Sequence, residues 1–470
     1  MSTATDKVTD LIKALEAGLA VGPPSSLTQG AALQRQDLSA TMQLVTFGDK
    51  QIKLQKSLPI YKAKSTLVEF NRQLSYGIPG GSATLEVSAG QDDTGDYVRA
   101  IVPMAFYVNR RVTSFAADEV QAFDGEKASE REAKNAAMKI AFDVEKDLFL
   151  GKSDFSNGGV FDGNPLTIPQ IMPGMNGLDV QIRQSDGLLS TQDLMFSEYG
   201  SSTSVVISVG GVIQQSNIED IALRSINNFG QADTLHLSTN ALAAYNKIAF
   251  NKERIVLAGS AQTATGATLG VQWTSQGPIN LEPSHFLRGK VQGPTTVRGL
   301  APAAPTVGGA RSGGSTAFLA NQVYTYYVTG VNEAGEGAPT ANVVVTATTN
   351  GDLINLTITA AAGNVTRWYN VYRSAAGSIS VAGTAGLAFV GRVAAAITGA
   401  TTFTDLGNRS PGATVAILLD KRGCEMPELA AFTKTELAIV DTAKRNLFYR
   451  FVCLQVATPR FSAILENVSN

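Results

Sequence analysis

Residues 366–377 read TRWYNVYRSAAG, and the place given to this stretch decides the fold. Trp368, Tyr369, Val371 and Tyr372 crowd bulky side chains into one short run, as a strand buried on one face does. Such a strand belongs either to the main body of the chain or to a module set into it. Its surroundings point to a module. Between Lys290 and Lys421 there is no lysine, although arginines persist. LAPAAPTVGGARSGGS, residues 300–315, has the Pro/Gly/Ser/Ala composition of a linker. Beyond it come short runs separated by Gly-rich turns: QVYTYYVTGVN, NVVVTAT, LINLTIT, TRWYNVYRS, AFVGRV and TTFTDLG. Strands at this close, regular spacing predict a β-sandwich of about 100 residues.

Outside the module the pattern differs. Residues 7–20 place Val8, Leu11, Ile12, Leu15 and Leu19 at helical spacing. GPPSS follows, and then a polar stretch ending in KQIKLQK, so residues 1–56 read as an extended arm ordered by what it packs on. Lys50, Lys53 and Lys56 of that stretch either contact nucleic acid or guard a strand edge. STLVEFNRQLSYG and VPMAFYVNRRVTSF read as strands running out to and back from a turn-rich tip. A two-stranded ribbon of this kind is marginal in water alone and needs a neighbour to rest on.

EKASEREAKNAAMKIAFDVEKDLFLG, Glu126 to Gly151, carries no proline and no internal glycine. Ala133, Ala137, Ile140, Ala141, Val144 and Leu148 fall on one face, which predicts a helix about 35 Å long, stopped by Gly151. Residues 204–250 then alternate strand and helix: SVVISVGG, VIQQSNIEDIALRSINNFG, ADTLHLST and NALAAYNKIAF. After Pro411 the body pattern resumes, and residues 424–468 read as a helix-like stretch and two long apolar strands. The body is therefore discontinuous, with the module inserted near its end.

The bulk numbers agree with a packed protein. At 470 residues, about three domains are expected. Hydrophobic residues make up 44% and charged residues 17%, and the net charge of −2 advertises neither nucleic acid nor an anionic membrane. Cys424 and Cys453 lack CxxC spacing, so reduced thiols are expected. Asp6, Asp10 and Glu16 stand where a secretory signal needs an apolar core, and no apolar run approaches the roughly 20 residues of a membrane span. A soluble protein made in a cytoplasm is the expectation.

His236 sits in the alternating TLHLST and His285 in EPSHF, and both read as structural histidines. There is no HExxH, GxSxG or phosphate-loop motif. QDDTGD, Gln91 to Asp96, lacks the register of a calcium loop. Glu333 and Glu336, in the module turn NEAGEGAPT, could be imagined as a glycosidase pair but have no pocket pattern around them. No enzyme, cofactor or metal site is expected.

The order of elements carries a resemblance. VYTYYVTGVNEAGEGAPT, WYNVYRS, FVGRV and TFTDLG resemble fibronectin type III and immunoglobulin-like modules of phage virion proteins. LVEFNRQLSYG with DDTGDYVRAIVPM, the long helix and the closing strands resemble the major capsid proteins of tailed bacteriophages, the Hong Kong 97-type fold. The resemblance implies an α+β fold with an N-terminal arm (1–56), an extended-loop region (57–115), a spine helix with peripheral and axial domains (116–292), a linker and inserted immunoglobulin-like sandwich (293–412), and a return to the capsid body (413–470). It implies a structural subunit that forms hexamers and pentamers of an icosahedral head assembled in the bacterial cytoplasm. Its implied partners are portal and head-completion proteins, scaffold or decoration proteins, and packaged double-stranded DNA held non-specifically, with no membrane. The module would be displayed outside. Some relatives join a loop lysine covalently to a neighbour's asparagine; here Ser65 to Glu126 contains no lysine, so that crosslink is not expected. An encapsulin-like compartment shell and a phage adhesin or tail protein with a glycan-binding sandwich are the alternatives.

Overall fold

The structure is a computed structural model. It describes residues 48–74, 76–77, 86, 92, 94–119, 127–151, 174–183, 204–249, 270–287, 297, 299–314, 317–332, 335–375, 386–396, 399–407, 409–438 and 442–469. The arm up to residue 47, most of the ribbon tip and Glu333 lie outside the described residues.

The chain opens with a short helix α1 (Leu54–Ser57), then β1 (Ile60–Lys62), β2 (Leu67–Gln73), β3 (Tyr97–Pro103) and β4 (Ala105–Ser114). A single turn α2 (Phe115–Glu119) precedes the long helix α3 (Ala128–Leu150). Next come α4 (Leu178–Arg183), β5 (Val206–Gly211), α5 (Gln215–Asn227), β6 (Thr234–Ser238), α6 (Thr239–Ala249), β7 (Val271–Thr274) and β8 (Gly277–Ser284). Then come the strands β9 (Thr306–Ser312), β10 (Val323–Asn332), β11 (Gly335–Pro339), β12 (Val343–Thr346), β13 (Leu353–Thr359), β14 (Trp368–Ser374), β15 (Leu387–Ala394) and β16 (Thr401–Asp405). The chain closes with β17 (Thr414–Leu419), β18 (Cys424–Glu436), β19 (Ala443–Val452), β20 (Gln455–Val456) and β21 (Ala463–Val468). The architecture is mixed α+β.

The long helix forms where the pattern expects it, but its buried face is rotated. Ala136, Ile140, Val144, Glu145, Leu148 and Phe149 are buried, while Ala133, Ala137 and Ala141 are only partly so. Its end is also closed differently. Gly151 has φ −60° and ψ 140°, not the left-handed conformation, and a Cβ there would meet the carbonyls of Asp147 and Met175 at 2.4 Å. Glycine is needed for the close approach of the segment leading into α4. At the other end Lys127 offers no side-chain cap, and Asp118 of α2 supplies one instead, accepting from the Ser129 N–H at 3.0 Å.

Ile140, Val144, Leu148 and Phe149 share one apolar cluster with Phe448 and Val452 of β19 and with Leu235, Ile417 and Ile464. The helix is thus the common wall of two sheets. One runs β1-β18-β19-β4, with β20 on β18; the other runs β5-β21-β17-β6-β8-β7. In the second, strands from residues 206–284 and 414–468 interleave, so the body is assembled from both sides of the intervening strands. The helix-like stretch expected after Cys424 is instead β18, paired with β19 and, in parallel, with β1. Pro427 and the flanking strands override its local helix formers.

The strands between form two sheets, β11-β10-β14-β15 with β12 on β10, and β16-β13-β9. Tyr326, Val328, Tyr369 and Val371 of the first meet Ile354, Leu356 and Ile358 of the second in a separate core. TRWYNVYRS therefore lies in this unit, as β14 paired to β10 and β15. Thr306–Ser312, read as linker, is the strand β9, in register with β13 from Thr306↔Thr359 to Ser312↔Leu353. One of its glycines serves contact: a Cβ on Gly309 would lie 2.5 Å from Val345 and 2.8 Å from Val343, whereas one on Gly308 would meet nothing within 4 Å.

Candidate assembly surfaces

The ribbon β2–β3 is antiparallel, from Leu67↔Pro103 to Gln73↔Tyr97, and among the described residues it pairs with no other strand. Val68, Phe70 and Val102 face a small core with Ala63, Met104 and Cys453. Arg72, on the same face, donates from Nε to the Ala457 carbonyl at 2.9 Å and from Nη2 to that of Val456 at 2.7 Å. Burial lowers the pKa of this guanidinium. The other face carries Leu67, Glu69, Asn71, Gln73, Tyr97, Arg99 and Ile101, all exposed. Tyr97 is 70% exposed, and Tyr76, just past the end of β2, is 86% exposed. One side of the ribbon is pinned and the other is bare.

A second bare surface lies on β4. Its pairing with β19 puts Tyr107, Asn109 and Arg111 toward the long helix, where Tyr107 Oη donates to Asp147 Oδ2 at 2.7 Å and Arg111 reaches Glu132 at 3.1 Å. Burial raises the Asp147 pKa against the opposing Tyr107 hydrogen bond. The alternate residues Phe106, Val108, Arg110 and Val112 point away and are exposed, the three apolar ones at 56%, 56% and 54%. Phe106 meets Phe451 edge-on at 4.9 Å, and Tyr449 stacks on Phe451 at 5.1 Å. Among the described residues, β4 is the last strand on its side of the sheet. An apolar stripe on an open edge strand is a surface that a monomer covers or pairs.

A third lies at the edge of the six-stranded sheet, where Trp273 of β7 is 72% exposed beside Val271 at 39%. By contrast, the two-sheet unit is buried even on the far face of its larger sheet. There Tyr327 and Tyr372 stack at 4.5 Å, and Tyr372 Oη donates to Glu336 Oε1 at 2.6 Å.

The residues singled out in the sequence fall into structural roles. His236 is 1% exposed, with Nδ1 3.5 Å from Glu282 and its ring edge-on to Phe149 at 5.4 Å. Burial, then the nearby Lys421 and Lys53, pushes its pKa down to about 3. His285 is exposed, on a short turn. Glu336 is engaged by Tyr372 inside the unit. Asp118 is held well below the usual carboxylate range by hydrogen bonds from Lys444 and Ser129. Lys53 and Lys56 sit on helical turns, not a strand edge: Lys53 Nζ donates to the Pro283 carbonyl at 3.3 Å and Lys56 pairs with Asp49 at 2.6 Å. No group of three or more potential metal ligands converges among the described residues, and no described helix is long and apolar enough to cross a membrane. Sequence reasoning missed Glu145, which is 1% exposed on the long helix.

No protein-family model matches the chain, and no curated protein matches it. Solved structures do resemble it. The capsid of a native GTA particle aligns over 96% of this chain and 100% of its own, at 9% identity and a TM-score of 0.47. A structure from Mycobacterium phage Adephagia aligns over 95% and 99%, at 9% identity and 0.42. The holo-SrpI encapsulin complex from Synechococcus elongatus aligns over 95% and 97%, at 9% identity and 0.37.

Proposed function

We propose that this chain is a structural capsid subunit of the Hong Kong 97 type, whose copies tile the closed head of a tailed phage. The observation that carries the reading is the pair of unfinished surfaces around the long helix: a ribbon pinned on one face only, and an edge strand presenting Phe106, Val108 and Val112 to water. Each is costly for a solitary molecule and useful in a lattice, where a neighbour covers both. On this reading the ribbon lies over an adjacent subunit and the long helix is the rigid strut between contacts. Hexamers and pentamers build the shell, which encloses double-stranded DNA in the bacterial cytoplasm and engages portal, head-completion and scaffold or decoration proteins. The two-sheet unit is an inserted immunoglobulin-like module on the exterior. Lys53 and Lys56, already paired with acceptors of the same chain, add little to DNA contact, which then rests on scattered basic groups.

Electron microscopy and sedimentation of the purified protein test this. Closed shells support it, and a monodisperse monomer at high concentration overturns it. The ultraviolet absorbance ratio of purified shells separates a genome container from an encapsulin-like compartment, since only the first carries nucleic acid as its bulk cargo.

A further inference from the structure

We propose that Glu145 is a positioning residue for the amino-terminal segment: its carboxylate clasps the first turn of α1 and sets where the chain before Lys53 leaves the body. The position is otherwise apolar. Along the buried side of the long helix its companions are Ala136, Ile140, Val144, Leu148 and Phe149. The Glu145 carboxylate is taken out of water among them with no cation at ion-pair distance among the described residues. Its partners are three consecutive backbone N–H groups: Oε1 accepts from Lys53 at 3.0 Å and Leu54 at 2.7 Å, and Oε2 accepts from Gln55 at 2.8 Å.

The receiving element needs this. Helix α1 has only four residues, too few to persist alone, and Lys53 at its start makes no side-chain cap. A carboxylate some ninety positions away in sequence supplies the missing acceptors. Packing alone would be served as well by an aliphatic side chain, so the buried charge answers to the segment it holds. Leu54 and Leu58 add apolar contacts to the same cluster, and the Lys56–Asp49 pair folds the preceding turn back onto α1. The exit of the arm is thereby registered on the long helix. The charged and titratable groups around the clasp are Lys53 beside it, Glu282 on β8 and His236 on β6. Burial raises the Glu145 pKa, with Glu282 adding to it and the three N–H groups opposing.

The clasp is a property of the folded chain itself and stands apart from shell formation. Hydrogen exchange on the purified full-length protein, followed by mass spectrometry, tests it in wild type, Glu145→Gln, Glu145→Ala and Lys53→Ala. In the two Glu145 variants, peptides covering 53–55 should exchange about tenfold faster or more, while those from 136–148 keep their protection. Lys53→Ala retains all three N–H donors and should exchange as wild type. Unchanged exchange at 53–55 in the Glu145 variants overturns the proposal. So does loss of protection throughout the long helix in Glu145→Gln, which would make the residue a general support of the core. Equal loosening in Lys53→Ala would move the anchor to the lysine side chain and overturn it too.

Discussion

His236 and Val144 show what single buried residues contribute. The folded pKa of His236, about 3, lies below the ordinary 6.5 of an unfolded histidine. Between those values the unfolded chain takes up a proton that the folded one refuses, so stability falls as pH drops from about 6.5 toward 3. The slope approaches about 1.4 kcal/mol per pH unit once the unfolded group is charged. Glu145 and Asp147, raised by burial, act in the opposite sense at the acid end, and Asp118 contributes stability that is lost only below the normal carboxylate range. The comparison with His236→Gln isolates the histidine: urea midpoints at pH 7 and 5 should differ less in the variant than in wild type. Val144 is fully buried in the main core. Val144→Asp leaves a carboxylate there without a partner, at a cost of about 3–5 kcal/mol. Insoluble protein and no particles are expected, and normal yield in a sedimentation assay would contradict the packing described.

At the scale of elements, the apolar stripe of β4 can be changed without touching the core. Val108→Lys adds a solvated charge to a residue that is 56% exposed. Helix content and melting temperature should be close to wild type, while assembly measured by light scattering should drop at least tenfold if a neighbour covers the stripe. In the two-sheet unit, Gly309→Val drives a branched side chain into Val343 and Val345. A loss of about 1–3 kcal/mol is expected by thermal unfolding. These elements also show what could be read beforehand. The long helix was legible because its period runs over many turns without a breaker. β14 was legible as a strand because bulky residues crowd one short run between turns, but not as one buried on both faces, with Tyr369 and Val371 in one core and Tyr372 in another. β9 was not, since a glycine needed for close approach, as Gly309 is, reads in the sequence like any linker glycine. β18 was not, because its strand state is imposed by β1 and β19. Glu145 could not be found at all: a glutamate on a helix reads as solvated unless its three donors, far off in the chain, are already known.

For the whole molecule, the ribbon and the strand after it contain no lysine from Ser65 to Glu126. Particles boiled and run on a denaturing gel should therefore give a single band at 49.4 kDa; a ladder of covalent oligomers would show that another amine does the joining. The interleaved sheet has a further consequence, for synthesis. β5 and β6, close in sequence, are held apart by β21 and β17, which come from the end of the described chain. While the ribosome is still translating, a nascent chain has a slot two strands wide, about 10 Å, through the middle of that sheet. The two-sheet unit, complete by Asp405, has all its strands before this slot is filled. A chain that stops before Thr414 has neither strand of the slot and also lacks β19 against the long helix. The middle of that sheet is therefore closed only once β21 has been made, and a chain that stops before Ala463 carries a gap between β5 and β17.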